Sequence, residues 1–411
     1  MKKFLACCTV VFALLVSVFS CSSVVYAEDE VVLQFWHFWS DPVSKALVDD
    51  LLDKYEVLAP GVRVEVKTLT WDTGYQEIVQ AFKDGNAPDV LELGSDMISE
   101  FAAEGALLDL TSNVTRLRNK YIAWEPGMYD GKVYAMPWVL DTRALFYNKR
   151  LMSNASLDQN TPPETWTDLL SMSKKVHNPF SGIYGMGVNG PNPNVLYKKV
   201  LAFMWSNKGD VLSPDGKLCV INSKENRDAL AQYLNLITYG YVGTQSELDQ
   251  LFIDDKVGFW ISGSWLINRL KTEAPNVDYG VALVPKPEGE YGVHASFYGG
   301  EYLVVNNKTK NAKYAVALAK FITWEENTSM FCKTLGKFFP AKAVSIDALM
   351  FDKPRLGFWK QLMSAYSPPV NPKWNKIKDV IDREMGLAVT GKKNGNQALL
   401  DADTAISSIL K

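Results

Sequence analysis

Histidine is the scarcest ionisable residue here: 3 in 411 residues, His37, His177 and His294, lying far apart. None is paired at metal-ligand spacing, so no metal site is expected. The H-E-x-x-H, G-x-S-x-G and P-loop patterns are absent, which removes the usual signatures of zinc proteases, α/β-hydrolases and P-loop enzymes. Cysteine is nearly as sparse. Of 5, Cys7, Cys8 and Cys21 lie in or beside an apolar N-terminal run, leaving Cys219 and Cys332 in the body. A disulfide-stapled fold is excluded; two free, buried thiols are expected, with a single long-range Cys219–Cys332 disulfide as the alternative. An excess of charge is missing too: 43 Lys+Arg against 46 Asp+Glu give a net charge of −3. With no basic stripe to neutralise phosphates, nucleic acid is not an expected partner. Beyond the N-terminal run, no stretch approaches the roughly 20 apolar residues of a spanning helix, and no fixed-period repeat appears.

What is present is ordinary globular composition, 47% hydrophobic and 22% charged, in a chain too long for one compact core, so two lobes are expected. Lys2 and Lys3 followed by apolar residues 4–19 read as a secretory signal peptide. Two cleavage points compete. Ser20-Cys21 resembles a lipobox, which would make Cys21 a lipidated N-terminus holding the protein at a membrane, whereas Tyr26-Ala27 offers free cleavage before Glu28.

Along the body, Val31 to Phe35 and alternating Val62 to Val66 read as strands, 43–57 and 75–82 as helices, 89–93 as a third strand and 97–103 as a helix. Strands alternating with helices imply an α/β fold with a parallel sheet covered on both faces. Between Tyr134 and Tyr147 two extended runs flank Asp141-Thr142-Arg143, a crossing into a second lobe. A helix then opens at Trp166 with Thr165 or Thr161 as cap, followed by helices over 194–206 and 224–239 and a buried strand over 256–261. The run 279–284 returns the chain toward strand 302–305 and helix 311–324, and helices follow from about 339. The expected lobes are 28–140 with 285–338, and 141–284 with 339–411. Several crossings would restrict motion to opening and closing.

Ordered along nearly the whole mature chain are Phe35-Trp36-His37-Phe38-Trp39, Gly85-Asn86-Ala87-Pro88-Asp89, Glu104-Gly105-Ala106-Leu107-Leu108-Asp109-Leu110, Asp130-Gly131-Lys132-Val133-Tyr134, Tyr147-Asn148-Lys149, Pro163-Glu164-Thr165-Trp166, Trp260-Ile261-Ser262-Gly263-Ser264-Trp265 and Gly299-Gly300-Glu301. In this the chain resembles the family 1 extracellular solute-binding proteins, the sugar-capturing subunits of ABC importers. The resemblance implies a two-lobed periplasmic-binding-protein fold with the ligand in the cleft between lobes. It also implies a monomer on the outer face of a membrane, delivering its ligand to permease subunits driven by a cytoplasmic ATPase, with no cofactor and no catalysis. Its ligand-contacting positions fall on Trp39, Ser40, Trp71, Asp72, Asp96, Asp141, Trp205, Ser262, Gly263, Trp265, Gly299, Gly300 and Glu301. Family members often carry an acid where Gly94 stands and a Trp where Glu301 stands.

The chemistry of these residues agrees, because ligands of open parallel sheets sit beyond the strands' carboxyl ends. Carboxylates such as Asp96, Asp141 and Glu301 accept from sugar hydroxyls, indole faces such as Trp39, Trp205 and Trp265 cover the sugar's C–H face, and glycines let backbone approach. Three acids with only Arg143 beside them favour a neutral mono- or oligosaccharide over a phosphorylated polyol such as glycerol-3-phosphate. Each residue has a plainer role as well: Asp141 as the ion-pair partner of Arg143, Asp96 as a helix cap, Trp138, Trp166 and Trp324 as packing. Gly185-x-Gly187-x-x-Gly190 matches a dinucleotide fingerprint but is followed by Pro191-Asn192-Pro193, against a nucleotide site. A paired-carboxylate glycosidase and a surface adhesin are the readings from other classes.

Overall fold

The computed structural model describes residues 30–338, 340 and 353–411. The apolar N-terminal run, Cys21 and the expected helical start at 339 lie outside the described residues. Each early strand and helix forms where the local sequence dictates. Strand β1 (Val31–His37) leads to helix α1 (Pro42–Leu58), started by Asp41, whose carboxylate accepts from the Val43 and Ser44 amides. Strand β2 (Val62–Thr68) and helix α2 (Gly74–Asp84), stopped by left-handed Gly85, precede β3 (Val90–Gly94) and α3 (Ile98–Ala103). A small hairpin, β4 (Met128–Tyr129) with β5 (Lys132–Val133), leads into β6 (Ala135–Asn148) and α4 (Lys149–Asn154).

The two extended runs expected around Asp141 are one 14-residue strand, β6. Asp-Thr-Arg reads locally as a turn, yet its backbone is held from both sides. Thr142 and Asp141 pair with Tyr298 and Gly299, and Arg143 pairs with Gly263. The Thr142 hydroxyl donates to the Phe297 carbonyl at 2.7 Å.

The second lobe continues with α5 (Trp166–Val176), opened by a capping box of Thr165 and Asp168, then β7 (Tyr184–Asn189), α6 (Leu196–Ser206), α7 (Lys224–Asn235) and β8 (Gly240–Gly243). Next come α8 (Gln245–Ile253), β9 (Val257–Gly263), α9 (Trp265–Glu273), β10 (Tyr279–Ala282) and the returning β11 (Ser296–Val305). The chain ends with α10 (Ala312–Ile322), α11 (Glu325–Leu335), α12 (Lys353–Leu362), β12 (Ala365–Tyr366), α13 (Trp374–Val389) and α14 (Gly395–Leu410).

The main sheet runs β2-β1-β3-β11-β6-β9-β7-β8. β1, β2 and β3 are parallel, as are β7, β8 and β9, while β11 and β6 run antiparallel to their neighbours and link the two groups. Two cores cover opposite faces of the first group. Leu33, Phe35, Val90 and Leu303 pack with α1, α10 and α11 on one side, and Leu91, Leu93 and Tyr302 pack with Phe101 on the other, following the period of two along a strand. In the second lobe Tyr197, Phe203, Phe297, Trp374 and Ile381 form one core and Phe146, Phe252, Trp260 and Phe358 another.

Gly185 and Gly187 lie inside β7, where a Cβ would come 2.1 Å from the Ser173 carbonyl and 2.8 Å from Trp260, so the glycine pattern is strand packing. Cys332 is buried, but Cys219 is only half-buried; both are free. Trp138 and Trp166 are buried, whereas Trp324 is 45% exposed beneath the Lys120 ammonium, because it precedes α11 on the outer surface and not on its inner face. No described helix is long and apolar enough to cross a membrane.

Candidate functional site

β3 ends at Gly94, paired with Glu301 of β11, and β9 ends at Gly263, paired with Arg143 of β6, so both strand ends abut the long strands that link the two groups. Asp96, just past β3, does not cap the helix after it: α3 has no side-chain cap. Its carboxylate reaches the other lobe, accepting from the Tyr197 hydroxyl of α6 at 2.8 Å and pairing with Lys378 of α13 at 3.2 Å. Burial pushes Asp96 up, but Lys378, Lys198 and the Tyr197 hydroxyl outweigh it and hold the carboxyl well below the usual range. Beside this contact, the Ser99 hydroxyl donates to the Asn371 carbonyl at 2.9 Å, and Asn375 donates to Glu100.

Asp141, 6% exposed in the middle of β6, pairs with Lys337 at 2.7 Å and Arg143 at 3.4 Å. Burial raises its pKa, and Lys337 followed by Arg143 brings it below the ordinary value. Glu301 stands opposite Gly94 and Val139, next to a register break in β11. One of its carboxylate oxygens is buried without a hydrogen-bond partner. Burial shifts its pKa upward, with Asp141 adding to the shift and Lys337 and Arg143 opposing it. A side chain on Gly94 would meet the Asp96 carboxylate at 2.9 Å, leaving little room there for a further acid. Gly299 faces Asp141 across the strands, and Gly300 has to be glycine, since a Cβ would sit 2.1 Å from the Val139 carbonyl.

In the second lobe, Ser262 and Gly263 end β9 and Trp265 opens α9. The Ser262 hydroxyl donates to Asp249 at 2.8 Å and accepts from Gln245 at 3.0 Å, so it is already engaged on both sides. The Trp265 N–H donates to Asp249 at 2.9 Å. Its ring lies over Gly263, where a Cβ would come 1.9 Å away, and carries the Arg143 guanidinium at 4.6 Å and the Lys337 ammonium at 5.1 Å. Trp205 is 4% exposed, donates to Asp210, and is covered by the stacked ring of Tyr366. Tyr366 is 45% exposed and pairs with Phe297 in β12–β11.

The remaining first-lobe positions are less enclosed. Trp39 packs edge-on to Trp138 and Phe331. Trp71 is half-exposed and stacked on Phe38 at 4.1 Å, while Ser40 and Asp72 are exposed. The structure thus brings Asp96, Asp141, Arg143, Trp265, Gly299 and Glu301 together, with Trp71 near Gly94.

Sequence reasoning missed Tyr197, Lys198, Lys337 and Lys378, and the premise that Arg143 is the only cation among the acids does not hold. Lys198 lies over the Tyr197 and Phe297 rings and, among the described residues, has no carboxylate salt bridge. Burial and then Arg143 and Lys378, against the pull of Asp96, bring it down to about 8. A lysine on an amphipathic helix looks solvated in sequence; only the packing of α6 and α13 against the first lobe turns these inward. No group of three or more His, Cys, Asp or Glu among the described residues could hold a metal.

Residues 50–354 match the family model described as bacterial extracellular solute-binding protein. The chain belongs to this family. The solute-binding protein is 25% identical to a putative binding protein of Brucella abortus, over 88% of its own length and 89% of the relative's. It is 23% identical to the sn-glycerol-3-phosphate-binding periplasmic protein UgpB of Escherichia coli, over 92% of each. Its fold matches a Thermotoga lettingae ABC transporter solute-binding protein bound with α-D-tagatose, with a TM-score of 0.82 and 23% identity over 93% and 100% of the two chains. It also matches the GacH receptor of Streptomyces glaucescens, with a TM-score of 0.82 and 22% identity over 93% and 98%. These matches show a two-lobed fold.

Proposed function

We propose that the protein is the solute-binding subunit of an ABC importer and captures a neutral mono- or oligosaccharide between its lobes. The carrying observation is that Asp141 and Glu301 lie on the adjacent strands β6 and β11, beside the Arg143 guanidinium that covers the Trp265 ring, with Asp96 just past the end of β3. Paired carboxylates accept hydroxyl hydrogens while an indole face covers C–H groups. The structural relatives crystallised with tagatose and with acarbose support this reading. No catalytic role is assigned to the acids. The chain acts as a monomer, exported and held at the membrane by lipid on Cys21, and hands its ligand to a permease. The lobes are 28–140 with 285–338, and 141–284 with 339–411, with the first residues of β11 through Phe297 packing on the second lobe. The hinge runs through β6 and β11. A thermal-shift screen with D-tagatose, maltose and mannobiose tests the reading. A ligand at 100-fold its Kd stabilises by about 2.7 kcal/mol, and no shift with any sugar would count against it.

One observation favours a second ligand class. Among the described residues Lys198 has no carboxylate salt bridge, in a cleft that also holds Arg143, Lys337 and Lys378, and a phosphate would give it one. Glycerol 3-phosphate belongs in the same screen.

A further inference from the structure

Three of the proposed ligand-contacting residues, Ser262, Gly263 and Trp265, sit on the β9–α9 junction, and one buried carboxylate lies behind it. Asp249, 3% exposed on α8, accepts from four donors. On one oxygen it takes the Trp260 indole N–H at 2.7 Å, the Ser262 hydroxyl at 2.8 Å and the Gln245 amide at 2.9 Å. On the other, among the described residues, it takes only the Trp265 N–H, at 2.9 Å. Two indoles and a hydroxyl from the end of one strand and the start of the next helix are thereby tied to a single side chain on a neighbouring helix. Every acceptor bond named here is made to the carboxylate, although the Gln245 amide oxygen is buried without a partner, and buried networks of this kind favour one arrangement.

We propose that Asp249 is a positioning residue: through the Trp265 N–H and the Ser262 hydroxyl it holds the Trp265 ring at the angle the ligand meets. Touching no ligand itself, Asp249 acts by fixing the only freedom a tryptophan has over a glycine, the swing of its ring about χ1 and χ2. The lone acceptor oxygen for Trp265 is what makes that ring, and not the fully enclosed Trp260 at 1% exposure, the one that moves if the carboxylate is changed. Gly263 has no side chain to brace the ring, so beside the Arg143 and Lys337 cations on its face the ring is held by the N–H tether. The proposal rests on the carbohydrate reading of the cleft.

The test uses the native protein and the Asp249→Asn and Trp265→Phe variants. Asparagine turns one acceptor into a donor facing an N–H, and phenylalanine removes the tethered donor while keeping a ring. In the ligand-free proteins, the indole resonance that vanishes in Trp265→Phe identifies the Trp265 N–H by NMR; it should shift and exchange faster with solvent in Asp249→Asn. For the sugar among D-tagatose, maltose and mannobiose that binds the native protein, calorimetry should give about tenfold weaker affinity in each variant, the scale of one charge-assisted hydrogen bond. An unmoved indole resonance in Asp249→Asn, or a moved one with native sugar affinity in that variant, overturns the proposal. If Asp249→Asn does not fold, unchanged affinity in Trp265→Phe overturns it alone. Failure of every sugar to bind the native protein refutes the carbohydrate reading instead, and the indole resonance still decides whether Asp249 holds Trp265.

Discussion

Replacing Asp96 by asparagine should destabilise the ligand-free protein by about 3 kcal/mol, the lower end of the cost of breaking a buried ion pair from one side. Asn keeps an acceptor for the Tyr197 hydroxyl but leaves the Lys378 ammonium, whose side chain is 2% exposed, without its carboxylate. With an unfolding entropy of roughly 2.1 cal/mol/K per residue, and about 380 residues in the mature chain, 3 kcal/mol lowers the melting temperature by about 4 °C. Lys378→Met should cost less, since Tyr197 and Lys198 still attend the acid. The double variant should recover part of the loss, with a coupling of about 1–3 kcal/mol between contacting partners. Because the folded Asp96 carboxyl is held below its unfolded value, its contribution is complete above the unfolded pKa and is lost as pH falls through the folded one. The difference between native and Asp96→Asn should therefore shrink in acid. Scanning calorimetry of the four proteins at neutral pH, repeated toward acid, makes the measurement. Asp96→Asn within about 1 °C of native, or strictly additive single losses, would refute the pairing across the lobes.

Glu301→Gln should gain stability relative to native as pH rises, because the folded carboxyl is pushed above its unfolded value, chiefly by burial, and the native protein loses stability across that window; melting curves in a pH series that run parallel would contradict this. Tyr366→Ala should weaken sugar binding by about 1 kcal/mol with little change in the ligand-free melting temperature, whereas Trp205→Ala should cost about 3–5 kcal/mol of stability because Trp205 is buried beneath Tyr366. The reverse pattern would return the ligand-facing role to Trp205. Mass spectrometry of the purified N-terminus should find a lipidated Cys21, and an unmodified chain starting at Glu28 would refute the anchor.

The alternation of strand and helix, and most element positions through β11, were legible because β-branched runs, capping residues and Gly or Pro stops act locally. Thr165 signals its helix by side-chain chemistry that needs no partner far away. The middle of β6 was not legible as strand, since Asp141 and Thr142 are extended only by pairing with β11 and β9. Asp96 was legible through its position after β3, while Asp141 and Glu301, which lie inside β6 and β11, were legible through the family resemblance. Their cations were not: Lys337 follows α11 and Lys378 rides on α13, and each joins the site through packing between segments more than 190 residues apart in the chain. Asp249 fell in a helix that sequence reading passed over, although Thr244 and Glu247 form a capping box at its start.

The most direct test of the central claim is isothermal titration calorimetry of the native protein with the best sugar from the thermal screen and, in parallel, with glycerol 3-phosphate. A neutral sugar should bind with one site per chain, and Asp141→Asn, which removes an acceptor paired with Lys337 and Arg143, should weaken it by about 1.5–3 kcal/mol. Tighter binding of glycerol 3-phosphate than of any neutral sugar would contradict the account.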